Sequence, residues 1–195
     1  MQQNTSIPVE HHPWEPYVPE GAHVLLLGTF PPGSHRWSMD FYYPNATNDF
    51  WRIMGIIFED DATALYDKTT RTFKLNRIKS LLDTYGIALS DTVLDARRTH
   101  GTASDKDLEV LRMRDIAALA AQIHDLRAIA TTGQKAAEIV AAQTGTSVPS
   151  MGMHAAFDSL EIWRLPSTSR AYPMALEAKA VYYRRFFAAT GILKP

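Results

Sequence analysis

The chain has 195 residues, of which 46% are hydrophobic and 21% charged, values that suit one globular domain rather than a disordered or fibrous polymer. Its formal net charge of −1 supplies no overall field toward nucleic acid, and the absence of cysteine excludes a disulfide framework, an iron–sulfur cluster and a cysteine zinc site. No cationic stretch leading into an apolar core opens the chain and no eighteen apolar residues run together, so no signal peptide and no membrane role are expected, and a cytoplasmic place fits best.

Residues 1–22 carry four prolines and the pair His11–His12, and read as an extended arm lying on a single domain of residues 23–195. "HVLLLG" (23–28) is a short apolar run closed by glycine, the pattern of a buried strand. A long loop leads to "TNDFWRIMGIIF" (47–58), whose apolar positions have helical spacing and whose Thr47 can cap the helix. Between 68 and 79, Lys68, Arg71, Lys74, Arg77 and Lys79 occur without an acid; this run is either a solvated helix face or a local contact for DNA. "FKLNRIKSLLDTYG" (73–86) reads as a helix stopped by Gly86, and "IALSDTVL" (87–94) as a strand. A helix over 112–125, a strand over 126–132 and a helix over 133–145 follow, then a strand over 159–166 and a helix over 173–191.

Strands separated by helices imply right-handed crossovers and a mainly parallel sheet. The expected fold class is therefore α/β, a three-layer α/β/α domain with four or five strands. Loops leaving the carboxyl ends of such strands share one edge, where α/β proteins bind ligands. Here these are Gly28 to Pro44, Asp91 to His100, Thr131 to Lys135 and Pro166 to Pro173.

The loops exclude several chemistries. There is no G-x-S-x-G elbow, no phosphate loop of the G-x-x-x-x-G-K-[ST] type, no G-x-G-x-x-G after a strand and no H-E-x-x-H, and the seven histidines lack metal spacing. "TTGQKAA" can hold an anion at a helix start or form an ordinary strand-to-helix turn. What remains is aromatic and amide: Phe41, Tyr42 and Tyr43, then Asn45 and Asn48. A flat ligand such as a nucleobase suits that equipment, its ring stacked on a tyrosine and its polar edge read by an amide; packing of the loop is the other account.

At "GTFPPGS" (28–34) and "YYPNATNDFW" (42–51) the sequence resembles the uracil-DNA glycosylase superfamily, most closely its hypoxanthine-DNA glycosylase and mismatch-specific uracil glycosylase branches. Members carry G-S-[FM]-P-S followed by Y-Y-G-H-P-R-N-x-F-W. "GIALSDTV" (86–93), "ATTGQKAAE" (130–138) and "LPSTSRA" (165–171) continue the similarity in order. The resemblance implies a monofunctional, monomeric DNA glycosylase that needs no cofactor and no metal and acts on DNA containing a deaminated or mismatched base. It implies a base pocket formed by Gly28, Thr29, Phe30 and Pro31, with Tyr43 as the platform and Asn45 at the base edge. Ser167, Thr168, Ser169 and Arg170, with Lys135, would contact DNA, and Asn48 would position the catalytic water, its competing role being a helix cap. The chain departs from the pattern at Phe30, where most of the superfamily has a polar water-holding residue, at Asn45-Ala46-Thr47 in place of H-P-R, and at Arg170 in place of a proline. A nucleic-acid or nucleotide binder that has lost catalysis and a small-molecule α/β enzyme are the competing readings.

Overall fold

A computed structural model describes residues 7–100 and 105–193. In chain order these form β1 (Glu10–His11), β2 (Val24–Gly28), α1 (Phe50–Phe58), β3 (Tyr66–Asp67), β4 (Thr72–Phe73), α2 (Leu75–Tyr85), β5 (Ile87–Asp91), β6 (Val93–Arg98), β7 (Leu108–Met113), α3 (Ile116–Ala121), β8 (Ala128–Thr131), α4 (Gln134–Thr144), β9 (His154–Phe157), β10 (Leu160–Arg164) and α5 (Leu176–Ala189). The central sheet has the order β5-β2-β8-β10-β9; its first four strands are parallel and β9 closes the edge antiparallel to β10.

Every residue of β2 is buried, because both faces of the sheet are covered. Val24 and Leu26 point into one core with Leu89, Trp51 and Ile53 of α1, Ile78 and Leu82 of α2, and Phe186 and Phe187 of α5. Leu25 and Leu27 point the opposite way, onto Ile116 and Leu119 of α3 and Val140 of α4. Full burial of each leucine contributes roughly 1.5–3 kcal/mol relative to leaving it exposed. The three-layer α/β/α arrangement with a five-stranded, mainly parallel sheet follows from this period-2 division. Phe50 and Trp51, at 0% and 1% exposure, anchor α1 to the sheet. Gly86 ends α2 in the left-handed conformation, φ 62°, where a side chain would be strained.

The structure departs from the sequence pattern in several places. The strand expected over 87–94 is divided at Thr92 between β5 of the central sheet and β6 of a second sheet. The helix expected from 112 is shorter and later: Arg112 and Met113 belong to β7, and α3 begins after Asp115, whose carboxylate accepts the Ala118 N–H. β7 pairs antiparallel with β6, and β1 adds to β6 to make a second, three-stranded sheet. Thr47 is not the cap of α1; the helix starts three residues later, at Phe50. Over its described residues, 7–22, the arm is held to the domain at two levels, by β1 on β6 and by reciprocal 2.9 Å backbone bonds between Tyr17 and Leu89.

The basic run has local partners. Arg77 pairs with Glu59, the Lys74 ammonium donates to the Ala64 carbonyl, and Lys79 lies over the rings of Tyr17 and Phe41, while Lys68 and Arg71 are exposed.

Candidate active site

β2 and β5 run in register, so Gly28 ends opposite Asp91 at the carboxyl edge of the sheet. A Cβ on Gly28 would sit 2.2 Å from Asp91 Oδ1 and 3.3 Å from the Tyr43 hydroxyl, so only glycine lets these groups converge. Tyr43 has a left-handed backbone, φ 52°, uncommon for a bulky residue and held here by its surroundings. Its ring stacks on Phe50 with centroids 3.8 Å apart and planes 11° apart, and its hydroxyl lies 2.9 Å from Thr132 Oγ1. Burial first, then the Asp91 charge, push the Tyr43 phenol well above its ordinary range, so it stays neutral.

The same corner holds two carboxylates. Asp91 Oδ2 is 2.8 Å from Nε2 of His12, and the His12 side chain is only 1% exposed. Asp105 accepts the Thr29 hydroxyl at 2.9 Å; burial, opposed by that hydrogen bond and reinforced by Asp91, raises its carboxyl above the usual range. Phe30 packs on the second sheet with Val93, Ala96 and Leu108, its ring meets His12 edge-on and Arg98 lies over it.

Beyond Tyr43 the chain makes two successive side-chain turns. Asn45 Oδ1 accepts the N–H and the hydroxyl of Thr47, both at 2.9 Å, and Asn48 Oδ1 accepts the Phe50 N–H at 2.8 Å. Asn48 therefore satisfies a free donor at the start of α1, as asparagines do. Next to it Asp49, 3% exposed, receives the Arg170 guanidinium at 3.0 Å on one oxygen and the Lys179 ammonium at 2.9 Å on the other. Lys179 is fully buried and also donates to the Ser169 carbonyl at 2.8 Å, while the Asp49 N–H bonds to the Thr168 carbonyl. The 165–170 loop is thus tied to the start of α1 by charge and by backbone. Pro166 accepts from the Tyr183 hydroxyl, and the side chains of Ser167 and Ser169 each bond the N–H two residues ahead.

The chain matches no family model. It is 30% identical over 120 residues to a hypoxanthine DNA glycosylase from Methanosarcina acetivorans, a stretch covering 61% of this chain and 68% of that relative. The chain belongs to the uracil-DNA glycosylase superfamily. Its fold is similar to a solution NMR structure from the same organism, of a protein provisionally named a uracil DNA glycosylase, with TM-score 0.62, 22% identity and coverage of 92% of this chain and 99% of that one.

Within this glycosylase fold Gly28, Thr29, Tyr43 and Thr132 meet at one corner, while Asn48, Thr168, Ser169 and Arg170 meet at a second, tied to it through Phe50. Ser167 lies beside Gly133 of the β8–α4 turn. Pro31 and Asn45 are occupied locally: the Pro31 carbonyl accepts from Arg98, and the Asn45 amide oxygen serves its own turn. Lys135 does not face open solvent at the helix start; its ammonium donates to the Leu108 carbonyl at 3.2 Å. A cleft of about 220 Å³ between arm and first loop is lined by Glu10, Phe30, Pro31 and Trp37, and a cavity of about 470 Å³ lies among residues 59–77; neither is lined by Tyr43, Asn48 or Asp91. Sequence reasoning missed His12, Asp49, Asp91, Asp105 and Lys179 as members of the site. Asp91 and Asp49 sit inside the quoted motifs; His12, Asp105 and Lys179 carry no local signal, because their partners are 79, 76 and 130 residues away in sequence.

No helix among the described residues is long and apolar enough to cross a membrane.

Proposed function

We propose that the protein is a monofunctional cytoplasmic DNA glycosylase, acting as a monomer, that hydrolyses the N-glycosidic bond of a flipped deaminated base, uracil or hypoxanthine. The observation that carries this reading is Tyr43: a strained aromatic backed by Phe50 on one face, its hydroxyl tethered to Thr132, beside the Asp91 carboxylate. On this reading a flipped base stacks on the face of Tyr43 opposite Phe50. Deamination supports a role for Asp91, since uracil carries N3–H and hypoxanthine N1–H where cytosine and adenine carry a lone pair. A carboxylate accepts the first pair and repels the second.

Water adds to the anomeric carbon as the C–N bond breaks, and the base departs with the bonding electrons and takes up a proton. Asn48 is the proposed water holder. Its amide oxygen has a second lone pair beyond the one given to Phe50, and an amide positions water without removing its proton. The 166–170 loop supplies Ser167 and Ser169 to the DNA backbone, contacts that position DNA without reading its sequence; Thr168, expected with them, is 3% exposed and instead holds the loop to α1 through its carbonyl. A binder without catalysis is the second reading, favoured by the engagement of Asn48 as a cap and by the apolar Phe30.

Oligonucleotides containing uracil, hypoxanthine or xanthine, treated with alkali to reveal abasic sites, separate the two. Cleavage that Asn48→Ala or Tyr43→Ala lowers by about 100-fold, with DNA binding retained, is the expected result. Binding to lesion DNA above plain duplex with no cleavage of any of them favours the binder, and unchanged cleavage in Asn48→Ala removes that residue from the mechanism.

A further inference from the structure

We infer that the N-terminal arm completes the pocket, with His12 as the positioning residue that aims the Asp91 carboxylate at the base; this rests on the glycosylase reading above. Asp91 ends β5 and could turn its carboxylate about two side-chain bonds. His12 removes that freedom by holding Oδ2 at 2.8 Å, which leaves Oδ1 over the Gly28 backbone and beside the Tyr43 hydroxyl. Among the described residues no donor reaches Oδ1, yet none of their fully buried side-chain polar atoms lacks a partner. Oδ1 is therefore the acceptor assigned to the base, on a side chain that is 8% exposed.

The imidazole is itself immobilised. Its Nδ1 lies 2.8 Å from the Trp14 carbonyl and 3.2 Å from the Trp14 N–H, and its ring packs against Trp14, Phe30 and Tyr42 with centroids 5.8 Å away in each case. The arm on either side is anchored as a ligand support requires. His12 N–H bonds to the Leu94 carbonyl at 2.7 Å, Glu10 pairs with Arg98, the Glu15 carbonyl accepts the Tyr42 hydroxyl, and the Tyr17 hydroxyl donates to Asp83. The aromatic crowding of the 28–51 segment thus has a second use: Trp37 and Tyr42 clamp Trp14, and with it His12.

His12→Phe keeps a ring of similar size and deletes the hydrogen bond, while His12→Gln keeps a donor in reach of Asp91. Single-turnover excision from a uracil- or hypoxanthine-containing duplex is measured beside the dissociation constant for the same duplex and the melting temperature. His12→Phe is expected to lower the excision rate about tenfold or more with affinity within about twofold, His12→Gln to recover part of the rate, and His12→Phe/Asp91→Asn to be no slower than Asp91→Asn. Excision by His12→Phe at the wild-type rate, or a loss that simply follows melting temperature and is not relieved in His12→Gln, overturns the inference. Should the wild-type chain excise neither base, the glycosylase reading fails, and proton NMR of the intact chain decides the pairing separately. A slowly exchanging His12 Nε2 proton that disappears in Asp91→Ala, which leaves no acceptor, supports it, and its absence from the wild type overturns it.

Discussion

Removing Asp49 is expected to cost more stability than removing either cation that contacts it. Lys179 is wholly buried, and Asp49 is its sole carboxylate partner among the described residues; Asp49→Ala would leave an ammonium in the core with the Ser169 carbonyl and the Tyr172 ring as neighbours but no counter-charge. Stranding a buried charge in this way costs about 3–5 kcal/mol. Arg170 is 60% exposed, and an exposed pair contributes about 0–1 kcal/mol, so Arg170→Ala should be nearly silent. Lys179→Met falls between them, since Asp49 keeps Arg170 and the Thr168 carbonyl contact through its backbone. For a domain of this length, about 2–4 °C accompanies each kcal/mol, which places Asp49→Ala roughly 6–20 °C below wild type in a thermal melt at neutral pH. Asp49→Ala/Lys179→Met should melt above Asp49→Ala, because no charge is left alone. The reasoning is refuted if Asp49→Ala melts no lower than Arg170→Ala, or if the double variant shows the sum of the two single losses.

Two further outcomes follow from the site and the arm. Gly28→Ala places a methyl 2.2 Å from Asp91 Oδ1, so the carboxylate must move, excision should fall by more than about tenfold and urea unfolding should lose about 1–3 kcal/mol; full activity would show that Asp91 does not need its present position. Asp95, which receives a side-chain hydrogen bond from Arg112 and another from His11, has its carboxyl held down at about 2 against an ordinary 3.8. Because the folded value is the lower one, the contribution is present above 3.8 and lost as pH falls from there toward 2. Acid unfolding of Asp95→Asn should therefore be shallower than wild type across that window, and coincident curves would contradict the assignment.

The parts of the fold legible in the sequence are those with short-range causes. "HVLLLG" reads as a strand because five consecutive apolar or small residues fit a sheet covered on both faces, and Gly86 reads as a helix stop because it lies in the left-handed region. β7 was illegible for the opposite reason: "LEVLRM" is half exposed and stands at the edge of a small sheet, so no alternation marks it, and Arg112 and Met113 merge into the alanine-rich helix pattern that follows. At α1 the local signal was present but ambiguous. Thr47 and Asn48 both suit caps; what decides is Asn45, whose side chain takes the Thr47 N–H and hydroxyl and leaves Asn48 to serve Phe50.

The site divides along the same line. The motifs located the loops, and within them the stacked pair Tyr43 and Phe50, but they ranked residues by matching positions and so passed over the charges that hold the loops together. Phe30 is the instructive case. Where most of the superfamily has a polar side chain this chain has a ring that packs against His12 and Arg98, and the carboxyl groups at the corner are those of Asp91 and Asp105. The substitution thus does more than delete a water ligand: the ring that replaces it forms part of the wall that keeps the arm's imidazole on Asp91.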